Sequence, residues 1–238
     1  MMDVDQDGLS QEQIGRLEAA HVLIAGGGAI AEACARSLIA SSVGSIQLAC
    51  NDLARLSLLR QKLADENHAE ASPNSLNGRT CLTFQLVESF DMAQAEALIK
   101  GNLLVIDLLD DWQSKLLVSD LCMALRRPLL HCAVAAMRVQ LFMMQPAKSC
   151  CLRCLLAALG IEDTIMEAGV QAAFPAFNGL VGNALALAAV KLISGFGASQ
   201  SNELIKLDCL SGELEVLRGF DPVADCPDCG TIRRAGNR

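Results

Sequence analysis

Two cysteine pairs with the same internal spacing stand in the second half of the chain: Cys151-Leu152-Arg153-Cys154 and Cys226-Pro227-Asp228-Cys229. Each C-x-x-C pair can grip one edge of a tetrahedron, and two such pairs supply the four thiolates that suit zinc. Gly230 follows the second pair and permits a tight turn behind it. Cys150 competes with Cys151 for a place in the set, and the register with Cys154 is all that favours Cys151. The plainer alternatives are four unrelated thiols or redox-active pairs. The chain has 238 residues and 11 cysteines, and residues 1–20 lack a secretory leader pattern. In that context paired thiols point to a metal. Four thiolates leave no open coordination position, so the expected role is structural. Cys34, Cys81, Cys122, Cys132 and Cys209 lie among apolar neighbours and read as small core residues.

The stretch His21 to Ala40, HVLIAGGGAIAEACARSLIA, carries a second kind of chemistry. An apolar run, Val22 to Ala25, meets Gly26, Gly27 and Gly28, and helix-compatible spacing follows at Ile30, Ala33, Cys34, Ser37 and Leu38. Strand, glycine turn and helix in that order form a phosphate cradle, because the helix N-terminus presents free N–H groups. The pattern Gly26-x-Gly28-x-x-Ala31 is a variant of the dinucleotide fingerprint. Its bland counterpart is a tight turn without a ligand; the flanking strand and helix favour the nucleotide. Asp110 and Asp111 follow a second apolar run and sit where open α/β sheets bind ligands, or else cap a helix starting at Gln113. Arg60 lies on a helix face that is either exposed or turned to a ligand. His21, His68 and His131 read as structural or solvated, since nothing pairs them with a nucleophile.

These groups need a frame. Ser10, with Glu12 and Gln13, can cap a short N-terminal helix. Strands are expected at 22–25, 45–50, 81–87, 102–108, 128–133 and 137–143, with helices at 53–63, 92–99 and 113–126 between them. This alternation predicts an α/β class, a doubly wound, Rossmann-like, mostly parallel sheet with a C-terminal zinc-stapled β/α extension. In it, residues 1–20 form an N-terminal segment and 21–148 the nucleotide-binding part. Residues 149–238 form a zinc-bearing part of the same domain. That last part holds an apolar helix over 178–194 and a hairpin of 204–208 with 213–218 around Ser211-Gly212.

Composition narrows the function. Hydrophobic residues make up 52% of the chain and aromatics 3%, so aliphatic packing fills the core. A formal net charge of -8 without a dense basic run argues against nucleic acid as the partner. The apolar run Ala184 to Ile193 is too short to span a membrane and contains Lys191. A cytoplasmic location without membrane attachment is the expectation.

The glycine-rich first turn, the Arg60-Gln61 pair after the second strand, Asp107-x-x-Asp110 at a later strand end and the two C-x-x-C pairs together resemble the ThiF/MoeB family. The resemblance covers roughly residues 10–230. It implies an adenylyltransferase of the ubiquitin-activating type. Such an enzyme uses ATP and magnesium to adenylate the C-terminal carboxylate of a small ubiquitin-like, sulfur-carrier or peptide substrate, commonly as a homo- or heterodimer. Gly26 and Gly28 would line the phosphates, Arg60 and Lys115 would bind their charge, and Asp110 would hold Mg²⁺. Asp52 matches the family's second aspartate after the second strand. The ribose-binding aspartate itself is replaced by Cys50, the fourth and sixth positions of the glycine pattern are Ala29 and Ala31, and the segment ending in Arg60-Gln61 is one residue short and lacks its asparagine. The lysine expected within 68–74 is absent, as is a partner-reaching N-terminal arginine. Thr164 to Glu167 hold no thiol where some members carry a reactive cysteine. Lost cations weaken transition-state stabilisation. The resemblance is therefore also compatible with a degenerate, non-catalytic scaffold or partner of an active paralogue. A nicotinamide-dependent dehydrogenase is disfavoured by Cys50 and the lack of a catalytic pair.

Overall fold

The computed structural model describes residues 8–64, 80–160, 174–198 and 200–230. Helix α1 (Gln11–Glu18) opens with the expected cap: Ser10 accepts from the Gln13 N–H, and the Gln13 side chain returns to the Ser10 N–H. The elements that follow are β1 (His21–Gly26), α2 (Ala29–Ala40), β2 (Ser45–Cys50), α3 (Leu53–Ala64) and β3 (Cys81–Leu86). Then come α4 (Met92–Lys100), β4 (Leu104–Leu108), α5 (Trp112–Ala124), β5 (Leu129–Ala135) and β6 (Arg138–Met144). The chain closes with α6 (Leu152–Ala158), α7 (Pro175–Ser194), β7 (Glu203–Asp208) and β8 (Glu213–Arg218).

One eight-stranded sheet runs in the order β3-β2-β1-β4-β5-β6-β7-β8. The first five strands in that order are parallel, and β6, β7 and β8 are added antiparallel. The predicted mixed architecture is therefore correct, and the C-terminal hairpin continues the same sheet. Strand β4 is buried at every position because helices cover both faces, which is why its sequence is a continuous apolar run rather than an alternating one. Two apolar clusters form, one under α2 and α7 and the other under α4, α5 and α6.

Helix α7 crosses α2 closely at Gly182, where an added Cβ would lie 2.7 Å from the Cys34 backbone nitrogen and 2.7 Å from the Ile30 carbonyl oxygen. Only glycine lets the two backbones approach so far. The helix starts at Pro175, three residues before the expected Asn178, and its 20 residues are long and apolar enough to cross a membrane by length and composition. That revises the shorter run counted from sequence; here the helix packs on α2 and α1. Two cysteines depart from the core expectation. Cys81 is exposed at the edge strand β3, and Cys209 is half-buried.

Candidate functional site

The two cysteine pairs meet. Cys151 is the N-cap of α6 and Cys154 lies in its first turn, while Cys226 and Cys229 come from the chain after β8. Their four sulfurs lie within 4.8 Å of one another, with Cys151 Sγ to Cys226 Sγ at 3.6 Å and Cys154 Sγ to Cys229 Sγ at 3.5 Å. Tetrahedral zinc with Zn–S bonds of about 2.3 Å sets its sulfurs about 3.8 Å apart. The register favouring Cys151 over Cys150 is the one observed: Cys150 lies outside the set, and its backbone N–H donates to Asn202. Burial pushes Cys229 up to about 12 and raises Cys151 as well. Cys226 is held below its ordinary value: burial opposes ionisation, but the Cys229 and Asp228 backbone and neighbouring thiols outweigh it. Four thiolates in this buried space require a cation, and the donor set fits zinc.

The second site lies at the C-terminal ends of β2, β1 and β4. Gly28 is the N-cap of α2 at φ 95°; among the described residues no side chain caps the helix, and a Cβ added there would meet nothing within 4 Å. Among the described residues the helix N-terminus is therefore unobstructed, as a phosphate site demands. Behind it, Gly26 at φ 119° is needed because a Cβ would strike the Leu108 carbonyl oxygen at 2.2 Å. A Cβ on Gly27 would fall 2.8 Å from Cys50 Sγ, so Cys50 stands where the ribose acid was expected, against the turn. Burial raises its thiol, which is neutral at pH 7 and offers no charge.

Carboxylates flank this opening. Asp111 turns out to be the cap of α5, accepting from the Ser114 N–H at 2.7 Å. Asp110 is free of that duty, half-exposed, and ion-paired to Arg55 at 2.6 Å. A carboxylate so placed at a strand end suits Mg²⁺. Asp52 accepts from the Arg55 N–H at the start of α3, and its second oxygen lies 3.4 Å from Arg55 Nε. Arg60 is exposed on α3, its guanidinium 5.5 Å over the Phe84 ring.

Lys115 does not meet the expectation of a phosphate ligand. Its side chain is 1% exposed, donating to Asp107 at 3.1 Å and to the Cys132 carbonyl at 2.8 Å. Beside it, His131 Nδ1 contacts the other Asp107 oxygen at 2.7 Å; a carboxylate can only accept, so Nδ1 carries the proton. Burial would raise Asp107, but the Lys115 ammonium and the His131 hydrogen bond hold it below its ordinary value. For His131, burial and the Lys115 charge outweigh the carboxylate and lower its value. The ring is therefore neutral in the fold, while an unfolded imidazole protonates below about pH 6.5. The unfolded state then binds more protons, so stability present above pH 6.5 is lost as pH falls. We expect the urea midpoint to fall between pH 7 and pH 5, and His131→Asn, which keeps a donor for Asp107 but cannot titrate, to flatten that fall. An equal fall in the variant would assign the pH dependence elsewhere.

The glycines, Asp52, Asp110 and the cysteine set are thus brought together into two sites, and Lys115 is diverted to the core. The 68–74 and 164–167 stretches lie outside the described residues. Sequence reasoning missed Arg55, which carries no local signal, and missed the Asp107–Lys115–His131 group.

The chain is similar to known proteins along most of its length. The family model described as ThiF family matches residues 3–231. The adenylyltransferase and sulfurtransferase MOCS3 of Bos taurus is 29% identical over 225 residues, covering 90% of this chain and 49% of that protein. The molybdopterin-synthase adenylyltransferase of Escherichia coli (strain K12) is 28% identical over 228 residues, covering 90% of this chain and 88% of that protein. The chain spans about half the length of the MOCS3 relatives it matches. Among solved structures, E. coli MccB with ATP has a TM-score of 0.72 at 16% identity, covering 92% of this chain and 69% of that one. E. coli MccB with AMPCPP and MccA has a TM-score of 0.73 at 14% identity, with the same coverage. At such identity the likeness concerns the fold.

Proposed function

The chain belongs to the ThiF family, and on that premise we propose that it adenylates the C-terminal carboxylate of a ubiquitin-like, sulfur-carrier or peptide substrate with ATP. The observation that carries this reading is the uncapped N-terminus of α2 at Gly28, open among the described residues, with Asp110 just past the end of the neighbouring strand β4. Relatives named as adenylyltransferases support the chemistry, and the MccB structures with ATP and with MccA support a nucleotide and a peptide as its two substrates.

In this account the N–H groups of α2 receive the phosphates, and the missing Cβ at Gly28 leaves them room. Asp110 would hold magnesium, which when bound would supply neutralising charge to the triphosphate. Arg60 would have to leave the Phe84 ring to bind phosphate. A substrate carboxylate oxygen attacks the α-phosphorus, the bond to the β-phosphate oxygen breaks, and pyrophosphate leaves with that oxygen's electrons. Zinc at Cys151, Cys154, Cys226 and Cys229 is structural. The exposed Leu180 and Leu187 on α7, beside exposed Leu214 on β8, support a dimer. Light scattering should then report about twice the 25.2 kDa chain mass for a homodimer; a strict monomer, with no partner recovered, would oppose it.

The test is exchange of labelled pyrophosphate into ATP on adding candidate acceptors. A free C-terminal carboxylate should support exchange and the matching peptide amide should not; equal rates with both would refute a carboxylate acceptor. A second reading, a non-catalytic scaffold, is favoured by one observation: Cys50, 2% exposed, occupies the ribose position without a carboxylate. Cys50→Asp separates the two. A restored charged hydrogen bond is worth about 1.5–3 kcal/mol, roughly ten- to hundred-fold in ATP affinity. If neither wild type nor variant binds nucleotide, the scaffold reading holds.

A further inference from the structure

Strand order places β1 between β2 and β4, so anything joining the ends of β2 and β4 must cross the glycine turn that ends β1. Arg55 makes that crossing. Its own Cβ lies 3.4 Å from where a Gly27 Cβ would be, and its guanidinium ends on Asp110 at 2.6 Å with Asp52 alongside at 3.4 Å. The cation thus lies across the mouth of the cradle, paired with the carboxylate that a magnesium ion would need.

The guanidinium sits on one Asp110 oxygen, and a divalent cation on the same carboxylate would meet its positive charge, so each weakens the other's hold. A divalent cation carries more charge than a guanidinium and takes carboxylate oxygens directly. Arg55 displaced from Asp110 would lie beside a phosphate-binding helix N-terminus, and its planar fork suits phosphate oxygens. Two of the cations expected there are not at hand: residues 68–74 contain no lysine, and Lys115 is committed to Asp107 in the core.

We infer that Arg55 is an exchangeable clamp, neutralising Asp110 in the free protein and passing to a phosphate oxygen of the nucleotide when magnesium takes Asp110. The inference rests on the adenylyltransferase reading and extends it: metal and nucleotide bind cooperatively because one residue changes partners between them. Arg55 positions phosphate; it is not one of the residues matched to the family's motif.

Binding measurements test this without turnover. Mn²⁺ serves as the metal probe and ATP as the nucleotide, each titrated into wild type, Arg55→Ala and Arg55→Lys. Arg55→Ala should bind Mn²⁺ alone more tightly, by roughly two- to fivefold, because a half-exposed ion-pair competitor is gone. The same variant should bind ATP with Mg²⁺ more weakly, by roughly ten- to hundred-fold, because a charged hydrogen bond is lost. Arg55→Lys should recover part of the ATP affinity. These opposite signs are the signature; a site that had merely loosened on losing the ion pair would weaken both titrations. If wild type binds ATP with Mg²⁺ and Arg55→Ala leaves either titration unchanged, the inference fails and the adenylyltransferase reading stands. If wild type binds no nucleotide, both fall.

Discussion

Replacing Cys151 or Cys229 with serine should release the metal and lower the thermal midpoint by roughly 8–16 °C. Loss of a metal site belongs to the few changes that cost about 4 kcal/mol or more. In a domain of this size each kcal/mol moves the midpoint by about 2–4 °C. The geometry makes the effect large. The two pairs come from α6 and from the chain after β8, so the ion ties segments about seventy residues apart. It also lets four buried sulfurs share a space where burial alone opposes their ionisation. Elemental analysis of wild type should give one zinc per chain. Cys150→Ser, adjacent but outside the set, should keep it. A metal-free wild type as stable as its Cys151→Ser variant would remove zinc from the account.

Asp110→Ala should leave the fold intact and reduce pyrophosphate exchange by about 10²- to 10³-fold, the scale for losing one preorganised electrostatic group at a reacting phosphate. Asp110 is half-exposed, and its pair with Arg55 is of the kind worth about 0–1 kcal/mol to stability. Asp111→Ala serves as the contrast. Its carboxylate caps α5 through the Ser114 N–H, so its loss should cost about 1 kcal/mol of stability and little exchange. Adjacent aspartates would then separate, one in chemistry and one in folding. Loss of exchange in Asp111→Ala with Asp110→Ala active would reverse the assignment.

Sequence and structure agree where local pattern suffices. Strand β2 is legible at Ser45 to Cys50 from its alternation and from Asn51-Asp52 that end it, and the β7–β8 hairpin from Ser211-Gly212, whose glycine has φ 77°. The cysteine set was legible because C-x-x-C spacing carries its own geometry. Helix α6 was not: it is seven residues long, and covered by the sheet and α5 it buries Leu152, Cys154, Leu155 and Leu156, leaving little amphipathic period. The turn between β5 and β6 was also hidden, because Ala136 and Met137 adopt φ 47° and 65° without the glycine or asparagine that marks such turns. Lys115 was readable as a charge but not as a buried one, since its burial depends on Asp107 and on the carbonyl of Cys132 from a neighbouring strand. Arg55 was the hardest to read. Only the order β2-β1-β4 puts its partner Asp110, fifty-five residues away, across the glycine turn.

The central claim is that the opening at Gly28 is a nucleotide site completed by a metal at Asp110. Calorimetric titration of wild type with ATP, with and without Mg²⁺, tests it most directly. The account predicts saturable binding of one ATP per chain that strengthens when Mg²⁺ is present. No binding heat under either condition would contradict it and leave the turn from Gly26 to Ala31 as a structural feature of the fold.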